Sequence, residues 1–210
     1  LHFRPAGNRG MTARETGRIA LFGAVWGVVE ITLGAALKGL RVPFSGAVLS
    51  MAAVVIMITG RHFVRTRGAV IMMGTAAGII KLFSVGTVLA SPFMAIVMEA
   101  VLVEAVLLVA GLRLTGCMAA GSAAVVYTVI HPLIAQGIIF GMDIYTVYVS
   151  LLSRIAEVLH VSPDHLVWVG GGYLLLHIAA GAGAGLAGAV LQKQVSVEIG
   201  RIQKEKEKAA

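Results

Sequence analysis

Five polar side chains stand inside long apolar segments of the sequence. They are Glu30, Lys81, Glu99, His131 and Gln136. A charged group is costly inside a bilayer, so it usually faces the interior of a helix bundle, where it pairs with another group or serves a function. At a rise of about 1.5 Å per residue, helices through these segments would place all five groups in the same half of the bilayer. This convergence predicts a polar pocket open to one side of the membrane.

Two interpretations of these groups stay open. Glu30 and Glu99 could simply neutralise Lys81 and hydrogen-bond His131, which would hold the bundle together. Alternatively, the set binds a substrate, together with Lys38 in the loop after the first segment. Basic groups at the mouth of a pocket would attract an anionic or zwitterionic ligand. We therefore predict substrate contacts from the five groups and Lys38, while the choice between Glu30 and Glu99 as the partner of Lys81 stays open.

Composition requires a membrane for these segments. Of the 210 residues, 58% are hydrophobic and 13% are charged, against about 25% charged residues in a soluble domain. The mean hydropathy is +0.92. The sequence pI near 10 does not indicate nucleic-acid binding here, because the basic residues lie between the apolar runs and at both ends of the chain. The predicted partner of the apolar segments is membrane lipid.

Six apolar segments are long enough to cross a hydrocarbon core of about 30 Å as helices. They are Gly17–Leu37, Phe44–Gly60, Gly68–Leu89, Pro92–Leu112, Met118–Phe140 and Leu166–Leu191. If both termini are cytoplasmic, 13 of the 17 Lys and Arg residues fall on the cytoplasmic side, as the positive-inside rule requires. The prediction is an all-α integral membrane protein with six transmembrane helices, a cytoplasmic segment 1–16, a membrane domain 17–191 and a charged cytoplasmic tail 192–210.

Two segments are less regular than the others. Ile144–Val161 is apolar but carries Arg154, Glu157 and His160 at a spacing of three, so we predict an additional helix on the outer surface, capping the bundle or lying beside it, and not a seventh span. The third apolar segment is expected to end as a helix near Phe83, followed by a loop over 84–91 that dips into the bundle.

Enzyme motifs are missing from the sequence. There is no Walker P-loop, no His-Glu-x-x-His zinc motif and no Gly-x-Ser-x-Gly elbow, and the six histidines do not have the spacing of metal ligands. A lone cysteine, Cys117, is typical of packing. The chain is therefore not expected to be an enzyme or to hold a metal or cofactor.

Small residues repeat along the first segment. Ala20 and Ala24 stand four residues apart, and Gly23 and Gly27 repeat that spacing beside them, which gives a smooth face for another helix. With six helices, about 200 residues and a pocket near the outer face, the chain resembles the S components of energy-coupling factor (ECF) transporters. The resemblance covers about residues 14–191 at the level of architecture.

This resemblance implies a substrate-binding subunit for a vitamin or similar micronutrient in the plasma (inner) membrane of a prokaryote. It implies partners as well: a transmembrane coupling subunit, contacted through Ala20, Gly23, Ala24 and Gly27, and ATPases that supply the energy. Which ligand is bound stays open. The alternative is a self-sufficient transporter or channel that carries protons through Glu30, Glu104, His131 and His177, since buried Glu and His residues can relay protons.

Overall fold

The described part of the chain is entirely helical apart from its turns. The computed structural model describes residues 11–42, 44–64, 66–84, 90–141, 143–158, 160 and 162–209. The helices are α1 (Ala13–Gly39), α2 (Ser45–Phe63), α3 (Ala69–Ser84), α4 (Ala90–Ala110), α5 (Leu114–Phe140), α6 (Asp143–Val158) and α7 (Pro163–Ala209). The prediction of an all-α architecture is confirmed.

Five of these helices are long and apolar enough to cross a membrane, namely α1, α2, α4, α5 and α7. Helix α3 is apolar but has only 16 residues. Its end at Ser84 agrees with the expected end near Phe83, while residues 85–89 of the predicted dipping loop lie outside the described residues. The chain is a multi-pass membrane protein.

Six helices close into a ring in the order α1, α3, α4, α5, α7 and α2, each packing against the next. Helix α2 also reaches α5, α3 and α4, so it lies toward the interior. The core between the helices consists largely of small or flexible apolar side chains, including Ala53, Met57, Ala100, Val103 and Ala124. Such residues allow helix backbones to approach closely where lipid supplies no hydrophobic driving force.

We call the end of the bundle where α1 and α3 begin the base. Helix α1 begins there with a capping box, in which the Thr12 hydroxyl accepts from the Glu15 backbone N–H and Glu15 accepts from the Thr12 backbone N–H. This pairing satisfies two backbone donors that a helix start leaves without partners. The Thr12-x-x-Glu15 spacing ahead of an apolar run is a signal for this start in the sequence.

Glu104 holds the beginning of α3 at the base. Its carboxylate accepts from the backbone N–H groups of Gly68 (2.8 Å) and Val70 (3.0 Å), and one of its oxygens lies 3.4 Å from Nε of Arg61. The Arg61 guanidinium also donates to the Val64 carbonyl oxygen at 2.7 Å. With Glu104 only 1% exposed, the cluster joins α4 to both helices of the α2–α3 turn.

Removal of this carboxylate is expected to destabilise the fold. Glu104→Ala leaves Arg61 buried beside an empty position, and removing one partner of a buried pair costs about 3–5 kcal/mol. We expect a clear fall in the melting temperature of the detergent-purified protein. Glu205→Ala is the matched control, because its ion pair with Arg201 is exposed, and an exposed pair of this spacing is worth about 0.3–0.5 kcal/mol. Equal melting temperatures for the two variants would contradict the structural role of Glu104.

Helices α5 and α7 pack with their backbones in contact. A Cβ atom added at Gly181 would collide with the backbone of Gly121, and one at Gly185 would collide with that of Cys117. Beside them, Ser122 Oγ donates to the Ile178 carbonyl oxygen at 2.9 Å. Since only glycine fits at the closest points, α5 and α7 form a tightly matched pair.

The helix predicted within Ile144–Val161 is present as α6. It packs against α5 and α7 and, among the described helices, against no other. The Phe44 ring contacts Tyr173 and His177 of α7, so α7 begins about ten residues, or about 15 Å, beyond the level at which α2 begins. Helix α6 thus lies on the extension made by α5 and α7 and does not cap α1–α4.

The charged tail 192–210 continues α7 as helix to Ala209. A helix of 47 residues is about 70 Å long, well over the thickness of a hydrocarbon core. The predicted boundary between membrane domain and tail, after residue 191, lies within this continuous helix and stays a prediction.

Candidate functional site

A cavity of about 240 Å³ lies between α1, α2, α3, α4 and α5, away from the base. Five of the six side chains predicted to bind substrate line it, namely Glu30, Lys38, Lys81, Glu99 and His131. The other lining residues are Gly46, Leu49, Ser50, Pro92, Ala95, Ile96, Tyr127, Thr128 and Pro132. The helices therefore bring together side chains that are up to 102 positions apart in the sequence, from Glu30 to Pro132.

Lys81 reaches across from α3 to the backbone and side chain of Glu30 on α1. Its Nζ donates to the Glu30 carbonyl oxygen at 2.5 Å and lies 3.4 Å from Oε2 of the same residue. Gly34 leaves room for this reach, since a Cβ there would lie 3.2 Å from Nζ. The Lys81 partner left open by the sequence is thus Glu30, and the two charges largely neutralise each other.

Glu99 is anchored separately. Its Oε1 accepts a hydrogen bond of 2.5 Å from the Ser50 hydroxyl of α2, and both residues are buried. Within the part of the chain that the structure describes, Glu99 forms no ion pair. The cavity thus holds one carboxyl group that is oriented by a neutral hydroxyl and that forms no ion pair with either described lysine of the lining, Lys38 or Lys81.

Aromatic rings of α5 form one wall of the cavity. Tyr127 and His131 lie one helical turn apart, with ring centroids 5.2 Å apart and planes inclined at 53°, and Pro132 continues the wall. Rings of this kind supply flat apolar surface with polar edges, a common lining for small-molecule sites.

Lys38 stands at the exposed edge of the cavity, in the last turn of α1. Arg41 follows in the α1–α2 turn with a left-handed backbone (φ 52°) and is exposed, but it does not line the cavity. Pro43, which shares this loop, lies outside the described residues. Of Lys38 and Arg41, only Lys38 lines the cavity.

Three other polar residues lie away from the cavity. Gln136, predicted as a substrate contact, lies on α5 five residues beyond His131 and is not among the residues that line the cavity, so its contact with a substrate stays a prediction. Glu104 is part of the base cluster. His177 is buried and packs against the Phe44 ring. Its Nδ1–H donates a hydrogen bond of 2.9 Å to the Tyr173 carbonyl oxygen.

The small residues of α1 divide between two faces. A Cβ added at Gly23 would lie 2.8 Å from Cβ of Ala76, and one at Gly27 would lie 2.9 Å from Cβ of Ile80. Both glycines are thus buried against α3, whereas Ala20 is exposed and Ala24 is half-buried. Of the four residues predicted to contact a coupling partner, the two glycines thus pack inside the bundle, and the partner contact itself stays a prediction.

The sequence reasoning missed Ser50 and Tyr127. Ser50 is a hydroxyl within an otherwise apolar helix, and Tyr127 stands four residues before His131, on the same helix face. Single polar residues of these types are common in membrane helices as packing groups. Only the approach of α2 and α5 to Glu99 distinguishes them, and a single sequence does not contain that information.

Comparison with known proteins bears on the fold. No protein-family model matches the chain, and no curated protein matches it. A solved structure described as "Crystal structure of an S-component of ECF transporter" aligns with a TM-score of 0.60 and 20% sequence identity, covering 95% of this chain and 96% of that chain. The chain therefore has the fold that the resemblance implied, over almost its whole length.

Proposed function

We propose that this chain is the substrate-binding membrane subunit of an importer that captures a vitamin or similar small molecule and passes it to an ATP-driven coupling module. The observation that carries the proposal is the coincidence of an S-component fold with a cavity between five helices that Glu30, Lys81 and Glu99 help to line. Ligand sites in helical membrane proteins are usually built from side chains of several helices facing one another. Substrate contacts are assigned to Glu30, Lys38, Lys81, Glu99 and His131.

The proposed orientation places the base in the cytoplasm and the cavity toward the outside, with six spans including the short α3. Arginines gather at the base: Arg14, Arg18, Arg61, Arg67 and Arg113 lie at or near the helix ends there. This distribution agrees with the positive-inside rule. The proposed location is the plasma membrane of a prokaryote.

Coupling to a membrane partner is assigned to the exposed face of α1. Ala20 lies there beside Leu21 (60% exposed) and Val25 (44% exposed), so a partner helix can approach the backbone closely at the alanine and pack against its larger neighbours. The transmembrane coupling subunit would bind this face, and its ATPases would supply the energy for release.

A proton-coupled transporter has less support. Glu104 is held by two backbone N–H groups and Arg61, and the side chain of a proton carrier needs freedom to exchange protons with its neighbours. The Glu30 carboxylate forms an ion pair with Lys81 at 3.4 Å. These contacts favour structural roles for two of the four residues that a proton path would use.

Filling the cavity tests the proposed ligand site. Ala95→Trp places an indole into a cavity of about 240 Å³, so we expect native mass spectrometry to detect a bound small molecule on the wild-type protein and none on the variant. Ala105→Trp is the matched control, since Ala105 lies on the same helix but is exposed, and its ligand should stay bound. A ligand retained by folded Ala95→Trp would place the binding site elsewhere.

A further inference from the structure

We infer that the cavity selects a small, flat molecule with a positively charged nitrogen, which Glu99 binds. The inference rests on the proposed function, because it names the substrate class of the same site. It also differs from the sequence-based expectation of an anionic or zwitterionic ligand, which depended on the basic residues of the α1–α2 loop.

The lining of the cavity contains charged groups of both signs. Lys81 is neutralised at its own site by Glu30, through the 3.4 Å ion pair and the 2.5 Å hydrogen bond to the backbone. Glu99 then stands as a second carboxyl group in the same cavity, with Ser50 as its hydrogen-bond partner. Lys38, the other lysine of the lining, is exposed at the edge of the cavity and forms no ion pair with Glu99. Since burying a charge is costly unless it is paired, a cation that enters with the ligand supplies a charge partner for Glu99 that the described residues do not.

The Glu99 carboxyl group has acceptor sites beyond the one that Ser50 uses. Ser50 occupies one lone pair of Oε1, and an ionised carboxylate has about four such acceptor sites. Glu99 is among the residues that line the cavity, so the remaining acceptor sites are available from that side. A protonated amine or amidine-like group would make charge-assisted hydrogen bonds there, which are roughly twice as strong as neutral ones.

The cavity is small and has an aromatic wall. Its volume of about 240 Å³ is below the usual range of about 300–1,000 Å³ for pockets that hold drug-sized ligands. The Tyr127 and His131 rings form a wall, and a tyrosine face attracts a cation placed near it. One heteroaromatic ring with a short cationic arm matches both features.

Three pyridines of nearly equal size test the charge selection. We would measure binding of 3-pyridylmethylamine (cationic), 3-pyridylmethanol (neutral) and pyridine-3-carboxylate (anionic) to the full chain in lipid nanodiscs by calorimetry. We expect the cation to bind at least about tenfold tighter than the anion, which corresponds to about 1.4 kcal/mol. Equal or tighter binding of the anion overturns the inference, and so does the absence of binding by the cation.

Two variants identify the group that selects. Glu99→Gln keeps the size and the hydrogen bond to Ser50 while removing the charge, and it should abolish the preference for the cation. Glu198→Gln makes the same chemical change on an exposed part of α7 and should leave the preference unchanged. A preference that persists in folded Glu99→Gln would assign the selection to another group.

Failure of this inference and failure of the proposed function are distinguishable. If native mass spectrometry finds a co-purified anionic molecule that Ala95→Trp displaces, the binding function stands and the charge class is wrong. If neither a co-purified molecule nor any of the three pyridines binds, both the inference and the proposed function fail.

Discussion

Ala20→Trp is expected to abolish partner-dependent uptake while the ligand stays bound. Ala20 is exposed on α1 near the base, where the proposed function places the coupling subunit. A bulky residue in a close helix contact costs about 1–3 kcal/mol, which corresponds to an association weaker by about fivefold to about 150-fold. Uptake is measured with labelled ligand in cells that also express the coupling subunit and its ATPases, and ligand retention by native mass spectrometry of the purified protein.

Val109→Trp provides the control for this experiment. Val109 is 92% exposed near the base end of α4, a helix that has no packing contact with α1. A tryptophan there adds the same side chain at an exposed position of another helix, and uptake should remain at the wild-type level. Equal loss of uptake in both variants would mean that the Ala20 face has no special part in coupling. Loss of ligand binding in Ala20→Trp would mean that the substitution disturbs the bundle itself.

Alanine at Gly185 or Gly181 is expected to separate α5 from α7 and destabilise the bundle by about 3 kcal/mol or more for each substitution, the upper range for overpacking a close-fitting core. The atoms that the new methyl groups would meet belong to the backbones of residues 117–122. A backbone has no alternative rotamer, so the helices themselves must move apart. Thermal unfolding in detergent, followed by size-exclusion chromatography, measures the effect.

Gly183 offers a control on the same helix. A Cβ atom there would meet no atom within 4 Å, so Gly183→Ala should be neutral or slightly stabilising, because alanine favours helix over glycine by about 1 kcal/mol. Three substitutions of identical chemistry within five residues should therefore give two unstable proteins and one stable protein. If all three melt together, the close α5–α7 contact is not what determines stability.

The helices were predictable because their signals are local. Apolar length fixes most spans within a few residues, and Thr12 with Glu15 fixes the beginning of α1. The tail was harder to read, since charged residues after Leu191 indicate contact with water but say little about whether the helix stops. Helix α7 continues to Ala209 because Glu and Lys favour helix as well as solvent.

Most of the cavity was predictable for a different reason. Because a buried charge is costly in a bilayer, Glu30, Lys81 and Glu99 are expected to face the interior of the bundle and to lie close to one another. What one sequence does not contain is the rotation of each helix about its axis. That rotation turns Gly23 and Gly27 toward α3, leaves Gln136 off the cavity wall, and decides that Lys81 pairs with Glu30 while Ser50 binds Glu99.

The continuity of α7 gives the molecule a lever. Its fulcrum is the contact with α5 around Gly181 and Gly185, where the backbones touch. Measured from Gly183, midway between these two glycines, one arm extends about 39 Å to Ala209, and Tyr173 lies on the other arm about 15 Å away, at a rise of about 1.5 Å per residue. If α7 turns as a rigid rod about this contact, displacements scale with distance from it. A sideways shift of about 5 Å at Ala209 then moves Tyr173 by about 2 Å. Tyr173 touches Phe44, two residues before Gly46 of the cavity wall. A sideways movement of the tail would therefore shift Tyr173 and Phe44 at the edge of the cavity without any substitution of a lining residue.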